Sequence, residues 1–386
     1  MSPMEQTTIK TNIPTEQIDP ALLARAKQFL AIRSSIDHPD EVRSALDFIT
    51  DMLAAHPEIT VEHFEHNGIP SILAYHGPKR PERFKVLLNG HVDVVPANGS
   101  QFQPRITGDR LYARGALDMK FMTLLMTEAF IQLAPLVDYP LGLQITTDEE
   151  TGGYDGIYHQ ITQGVKTDMA IAGERTSLNV TTALKGICWL RVTQEGKHAH
   201  GSRPWEGENA VTKLTHLAEK LQATYPSPDE PSWTTTANVA WIRTDNSTHN
   251  RIPDAAEMGL DIRFIASDPH FASKESVRTF FAELDPTAQV HFVLHEPAIS
   301  AETSNPYVTC LLNAMIETRG EVETIRRYAS ADIRFYGNDP NTTCVEFGLT
   351  GEGDHGDEEY VELSSIPMMQ KALHTFLHNV AAVENN

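Results

Sequence analysis

Cysteine is scarce in this sequence. Its 386 residues include three cysteines, Cys188, Cys310 and Cys344, which are scattered and form no CxxC pair. Neither a disulfide framework nor a metal site built from thiolates is therefore indicated. Long apolar runs are missing too, since no stretch approaches the roughly 20 residues that a membrane-spanning helix needs. Because the polar residues 1–19 contain no apolar core of signal-peptide length, we expect a cytoplasmic protein.

Positive charge is also in short supply. Lysine and arginine total 31 against 52 acidic residues, so the formal net charge is -21 at pH 7. Nucleic acids and anionic membrane surfaces attract basic patches, and this balance argues against both as partners. The excess of negative charge is instead expected to serve solubility or to reflect the source organism.

Two common hydrolase signatures are absent from the sequence. There is no Gly-x-Ser-x-Gly turn, which presents the nucleophile of many serine hydrolases. There is also no His-Glu-x-x-His helix, the pattern of the common single-zinc proteases. The sequence therefore argues against both of these enzyme classes.

Strands and helices alternate in the first half of the chain. Apolar runs predict strands at Phe84–Leu88, Leu141–Thr146 and Met169–Ala172. A helix is predicted over Glu41–Ala55, and the Met- and Leu-rich stretch Asp118–Leu133 predicts a long buried one. Such alternation is typical of an α/β fold whose mostly parallel sheet is flanked by helices.

The pattern changes near Leu184. From there to Leu294 the predicted elements follow the order βαββαβ, which is that of a ferredoxin-like sandwich. After Pro297 the chain returns to helix, strand and helix. Because 386 residues exceed the usual single-domain range, we predict one domain from residues 1–182 and 298–386, with a second domain, residues 183–297, inserted into it.

Three turns rich in acids and histidine follow or interrupt the apolar runs of the first domain. They span Leu88–Asp93, Ala113–Lys120 and Ile145–Glu150. Because ligands of α/β sheets bind at the carboxyl ends of strands, we expect His91, Asp118 and Glu150 to converge there. Imidazole and carboxylate are donors that Zn²⁺ accepts, so these residues suit a divalent metal. The alternative for the last turn is a solvated acidic turn without a metal.

Together with two later motifs, these turns resemble a known family. The later motifs are Gly173-Glu174 and Asp354–Val361, and the set occurs in the family's order over about Pro20 to Val380. The family comprises the metallopeptidases aminoacylase, acetylornithine deacetylase, succinyl-diaminopimelate desuccinylase and glutamate carboxypeptidase. The resemblance implies a zinc exopeptidase-like catalytic domain and an inserted ferredoxin-like dimerisation domain, and hence a homodimer.

The resemblance also implies a centre of two divalent metal ions. Zinc is the expected metal, although cobalt or manganese would suit the same ligands. The implied ligands are His91, Asp118 and Glu174 for one ion and Asp118, Glu150 and His355 for the other. Asp118 would bridge the ions, and the peptide that follows it would be cis. Glu149 would be the general base, and Asp93 would brace His91.

Further residues are assigned to the substrate by the same resemblance. His200, in the loop Gly196–Pro204, would stabilise the oxyanion in the partner subunit's active site. Asn250 would line the substrate site. Arg263 would bind a substrate carboxylate, unless it forms a structural ion pair. Arg334 is a second candidate for binding an anion.

The chain departs from the family's pattern on the substrate side. Arg175 follows Glu174 where the family commonly has proline, and Tyr328 and Ala329 replace glycines that often precede the late Ser-x-Asp. The ligand set is untouched, so these departures leave the reaction class in place and the choice of substrate open.

The reaction implied by the resemblance is metal-dependent hydrolysis of the amide bond in an N-acyl amino acid, of the deacetylase or desuccinylase type. A carboxypeptidase or dipeptidase of the same family, acting on a short peptide, is the alternative. A catalytically silent binding member is a third hypothesis. It predicts decay of the ligand set, whereas Glu149 and every implied ligand are present.

Overall fold

The computed structural model describes residues 18–384. Most of residues 1–19, for which we predict no signal peptide, lies outside the described residues. The helices within this range are α1 (Pro20–Leu30), α2 (Pro39–Ala54), α3 (Lys120–Leu133), α4 (His159–Thr162), α5 (Ala210–Thr224), α6 (Lys274–Leu284), α7 (Pro306–Arg319) and α8 (Ser365–Asn379). The strands are β1 (Ile59–His66), β2 (Ile69–His76), β3 (Phe84–His91), β4 (Arg105–Thr107), β5 (Arg110–Tyr112), β6 (Leu141–Thr146), β7 (Thr167–Ala172), β8 (Val180–Leu184), β9 (Gly186–Glu195), β10 (Thr236–Arg243), β11 (Ala255–Phe264), β12 (Gln289–Glu296), β13 (Ile299–Ser300), β14 (Thr324–Arg327), β15 (Thr343–Phe347), β16 (Gly351–Glu352) and β17 (Tyr360–Glu362). No helix in residues 18–384 is long and apolar enough to cross a membrane.

Nine strands form the main sheet, and its centre is parallel. The strand order is β1-β2-β6-β3-β7-β15-β8-β13, with β14 beside β8. Strands β6, β3, β7 and β15 pair in parallel, which confirms the predicted α/β class. Near the β1 edge the pairing is antiparallel, because β1 and β2 form a hairpin closed by Asn67 and Gly68, both at positive φ.

Both faces of the main sheet are covered. The larger core lies under α1, α2, α3, α7 and α8, where Phe29, Phe121 and Phe376 are fully buried. Short helical turns at Tyr154–Tyr158 and Asp332–Asn338 cover the opposite face. Burial on both sides explains why β6 is buried along its whole length and reads as an apolar run in the sequence.

The second sheet has the order β10-β11-β9-β12 and is antiparallel throughout. Helices α5 and α6 cover one face and share a separate core with it, and β9 alternates between buried and more exposed residues as a sheet with one covered face requires. The chain order β9-α5-β10-β11-α6-β12 confirms the ferredoxin-like arrangement. The domain boundaries at residues 183 and 297 stay a prediction.

Two helices begin at residues other than those predicted. Helix α2 begins at Pro39 rather than Glu41, because proline is well accommodated in the first turn of a helix. Helix α3 begins at Lys120 rather than Asp118, because Met119 has φ -131° and ψ 25° and belongs to the preceding loop. The peptide between Asp118 and Met119 is cis, as the family resemblance implied.

A third, small sheet was not predicted from the sequence. Its order is β16-β17-β5-β4, and it pairs Arg110–Tyr112 with Tyr360–Glu362. Strands of two or three residues are too short to show a recognisable alternation of apolar and polar residues. The sheet joins the segment before Asp118 to the segment that contains His355.

Candidate metal centre

The residues predicted to bind metal come from five segments of the chain. His91 ends β3, Glu150 lies in a 3₁₀ turn after β6, and Glu174 follows β7. Because β6, β3 and β7 are adjacent and parallel, their carboxyl ends meet at one edge of the sheet. Asp118 precedes α3, and His355 lies between β16 and β17 with φ +60°. The structure brings all five together at this edge.

Asp118 stands between two groups of side chains. Its Oδ1 lies 3.2 Å from His91 Nε2, and its Oδ2 lies 3.1 Å from His355 Nε2. Glu174 Oε1 is 3.8 Å from His91 Nε2, and Glu150 Oε2 is 3.3 Å from His355 Nε2. In each group, one possible ligand atom per residue lies within 4.8 Å of the others. This geometry suits two cations that share Asp118.

The donor atoms fit divalent cations. Each group offers imidazole nitrogen and carboxylate oxygen, which zinc, cobalt and manganese all accept. Glu150 Oε1 is buried and has no hydrogen-bond partner within the described part of the chain, so a lone pair is left for a ligand bond. A buried carboxylate oxygen without a partner is costly, and a dication would offset that cost.

The electrostatics of the centre favour added positive charge. Burial and the neighbouring Asp118 raise the pKa of Glu174 to about 8. Hydrogen bonds to Asp118 and Glu150 raise the pKa of His355 to about 10. Burial acts to raise the pKa of Asp118, but hydrogen bonds from His355 and His91 hold it well below its usual range. Metal binding at these residues would therefore release protons.

Glu149 lies beside both groups. It starts the 3₁₀ turn after β6 and directly precedes Glu150. Burial raises the pKa of its carboxyl well above the usual value; His91 opposes this shift, and Asp332 and Asp118 add to it. The family resemblance implied that Glu149 is the general base, and its position is compatible with that role.

Asp93 contacts a residue of each group. His91 Nδ1 lies 2.9 Å from the main-chain oxygen of Asp93 and 3.5 Å from its carboxylate Oδ1. The predicted bracing of His91 is therefore shared between the carbonyl and the carboxylate. Asp93 Oδ2 also accepts a hydrogen bond of 3.0 Å from the Glu150 N–H. Contacts of this kind orient ligands in metal sites.

Sequence reasoning missed a buried ion pair that holds the Asp118 loop. Glu359 Oε1 accepts hydrogen bonds from the N–H groups of Leu117 at 2.8 Å and Asp118 at 3.1 Å. Its Oε2 accepts from the Gly115 N–H at 3.1 Å and pairs with Arg114. Glu359 is the third of three consecutive acidic residues, so nothing in the sequence marks it as the buried one.

Asp332 was also missed, although it lies beside the Glu149 turn. Thr146 Oγ1 donates to Asp332 Oδ2 at 3.2 Å. Gly153 has φ +69°, and a Cβ at this position would lie 1.9 Å from Asp332 Oδ1, so only glycine fits there. Asp148 Oδ2 accepts hydrogen bonds from the N–H groups of Asp155 and Gly156 in the following turn.

Two arginines connect the candidate ligands to their surroundings. Arg175, where the family commonly has proline, lies 3.2 Å from Asp354 and so links the loops of the two ligand groups. Arg327 lies 3.7 Å from Glu174 and 2.9 Å from Glu346. A charged glutamate inside an apolar strand requires a partner of opposite charge. Glu346 was therefore the feature of the sequence that could have predicted a nearby cation such as Arg327.

Three residues assigned to the substrate lie on the second sheet or the loops around it. His200 is exposed, and its loop hydrogen-bonds to the main chain of Asn250. Arg263 Nε lies 2.8 Å from Asp261 Oδ1, which is the ion pair considered as the alternative for this residue. Within residues 18–384, the hydrogen bonds and ion pairs of these three residues do not reach the metal centre, and their substrate roles stay predictions.

Arg334 is placed differently. It is buried, its guanidinium lies 4.2 Å from the ring centre of Phe335, and Nε is 3.8 Å from Glu296. Nη2 donates a hydrogen bond of 2.6 Å to the main-chain oxygen of Gly152, whose own N–H bonds to the main chain of Glu149. Arg334 therefore supports the turn that carries the predicted base.

Comparisons with known proteins show relatives that match nearly the whole chain. A succinyl-diaminopimelate desuccinylase of Sphingopyxis alaskensis is 28% identical over 378 residues, which cover 91% of this chain and 96% of that protein. The aminopeptidase PepT of Bacillus cereus has a TM-score of 0.73 at 16% identity and covers 93% of this chain and 98% of its own.

A Bacillus subtilis protein described as a dinuclear metal-binding peptidase of the M20 family has a TM-score of 0.65 at 13% identity, with 94% of this chain and 99% of its own covered. Structural matches at such identities show the fold alone. The model of peptidase family M20/M25/M40 matches residues 87–379, which is most of the chain. The chain therefore belongs to peptidase family M20/M25/M40 and is an enzyme that hydrolyses amide bonds.

Proposed function

We propose that the chain hydrolyses the amide bond of an N-acyl amino acid at a centre of two divalent cations, with zinc as the expected metal. The observation that carries the proposal is the position of Asp118, whose two oxygens face His91 and His355. Glu174 would complete the ligands of one cation and Glu150 those of the other. When bound, the cations polarise the amide carbonyl and lower the pKa of the attacking water.

Side chains of the protein carry out proton transfer, ligand positioning and substrate binding. Glu149 accepts a proton from the attacking water and returns it to the leaving amine. Asp93 keeps His91 and Glu150 in position through the contacts described above. Arg263 binds the substrate's carboxylate through two hydrogen bonds. The substrate then replaces Asp261, to which Arg263 is hydrogen-bonded in the structure.

A substrate panel tests the proposed reaction. Metal-loaded protein is incubated with N-acetyl and N-succinyl amino acids and with dipeptides, and the released acid or amino acid is quantified. We expect turnover of acyl amino acids, because the desuccinylase relative is matched over nearly its whole length. Release of amino acids from dipeptides alone would favour the carboxypeptidase or dipeptidase alternative. No turnover of any compound in the panel would defeat the proposal.

Replacing His200 with alanine should lower turnover roughly 10²–10³-fold, the usual effect of losing an oxyanion donor.

Because His200 is exposed and contacts its own loop, we propose that it acts on the partner subunit of a homodimer. Mixing His200→Ala protein with an inactive Glu149→Gln protein should then restore part of the activity, since mixed dimers contain one complete site. His198→Ala, an exposed neighbour, is the control. Full activity in a monomer, judged by light scattering, would contradict the proposed dimer.

A further inference from the structure

An apolar cavity lies directly beside the candidate metal centre. Its volume is about 120 Å³, and Asp93 and Glu150 form part of its wall. The start of α2, the β1–β2 hairpin and the loop after β3 supply most of the rest. Eight of its fourteen lining residues are isoleucine, valine or proline, among them Val42, Ile69 and Val95. The cavity therefore offers aliphatic surface next to residues proposed to hold a cation.

Arg43, the cation of the wall, already has partners. Arg43 donates to Glu65 at 3.1 Å and to the main-chain oxygen of Gly68 at 2.9 Å. Asp93 Oδ2 accepts the Glu150 N–H, and the carboxylate of Glu150 belongs to the proposed centre. An anionic group that entered the cavity would lose its hydration and meet two carboxylates and an arginine that is already paired, whereas an apolar group would not pay this cost.

We propose that this cavity binds an aliphatic group of the substrate adjacent to the scissile amide. The inference rests on the proposed function and narrows its substrate class to acyl amino acids or short peptides with a small aliphatic group. Glu150 supplies the link, because it is both a candidate ligand and part of the wall. Engineered apolar cavities of about 150 Å³ bind benzene, so a cavity of about 120 Å³ suits a branched group such as isobutyl.

Two variants and a matched control test the cavity. Val95→Phe fills it from a half-buried position. Ile36→Asp places a charge at its rim, and Ile36 is 61% exposed, so this change should not impair folding. Val293→Phe is the control, because Val293 is 66% exposed on β12 and does not line the cavity.

Two substrate series show which side of the amide occupies the cavity. One varies the acyl chain (acetyl, butyryl, isovaleryl) on one amino acid, and the other varies the amino acid (glycine, alanine, valine, leucine) under one acetyl group. In one series we expect the wild type to prefer the aliphatic group over the smallest by roughly tenfold in kcat/KM. Val95→Phe and Ile36→Asp should lose that preference and keep their activity on the smallest substrate, and Val293→Phe should match the wild type.

The results separate this inference from the proposed function. The inference about the cavity fails, and the proposed function stands, if the protein turns over substrate but shows no aliphatic preference in either series. The same holds if both cavity variants keep the wild-type preference. If no compound is turned over, the proposed function fails. The cavity is then tested without turnover, by measuring isobutanol binding with ligand-observed NMR. Binding to the wild type and Val293→Phe but not to Val95→Phe supports it, and any other result overturns it.

Discussion

Replacing Glu149 with glutamine is expected to lower turnover roughly 10²–10⁴-fold, which is the usual contribution of a general acid–base group. Glutamine has nearly the same shape but cannot accept the proton of the attacking water. Because Glu149 belongs to neither group of candidate ligands, the variant should keep its metal content. Turnover is measured on whichever panel compound the wild type accepts, and metal content by elemental analysis.

A matched control distinguishes the loss of the base from the loss of a charge. Glu302→Gln makes the same chemical change at an exposed residue and should leave turnover unaltered. If Glu149→Gln retains activity close to that of the wild type, Glu149 is not the base. If it loses metal together with activity, Glu149 acts as a ligand instead.

Replacing Glu359 with alanine should lower the free energy of unfolding by about 3–5 kcal/mol, because it leaves a buried arginine without its counter-charge. The side chains of Arg114 and Glu359 are 3% and 0% exposed, and no other described acidic group pairs with Arg114. Three backbone N–H groups of the Asp118 loop also lose their acceptor. Denaturant unfolding of the metal-free protein measures the effect.

The double variant Glu359→Ala/Arg114→Met provides the internal test. Removing the unpaired charge should recover part of the lost stability, because an apolar side chain is tolerated where a lone cation is not. Both variants should bind the metal more weakly than the wild type, since the Asp118 loop has lost the carboxylate that supports it. A loss below about 1 kcal/mol in the single variant would mean that water replaces the carboxylate.

The sequence could predict that candidate ligands would lie close together because local patterns and sheet topology act together there. His91, Glu150 and Glu174 each follow an apolar run, and parallel pairing of the three strands brings their ends to one edge. The family resemblance added Glu174 and His355 to the ligands, and no local pattern could have connected His355 to the others.

Contacts that depend on distant segments could not be predicted in the same way. The hydrogen bonds of Glu359 to the Asp118 loop arise from the small third sheet, whose strands are too short to leave a pattern. Arg175 was recognised as unusual beside Glu174, but its partner Asp354 lies on a different loop. The substrate residues of the second sheet are the least determined, because their distance from the centre depends on how the two sheets are placed.

The position of β15 has a consequence for biosynthesis. This strand pairs with β7, yet seven of the seventeen β-strands in residues 18–384 are made between the synthesis of the two. During translation one edge of β7 therefore emerges from the ribosome unpaired and open to association with other chains. His355 is made later still, so a prematurely terminated product would carry most of the ligands but no complete second site, and its fate would be degradation or aggregation rather than catalysis.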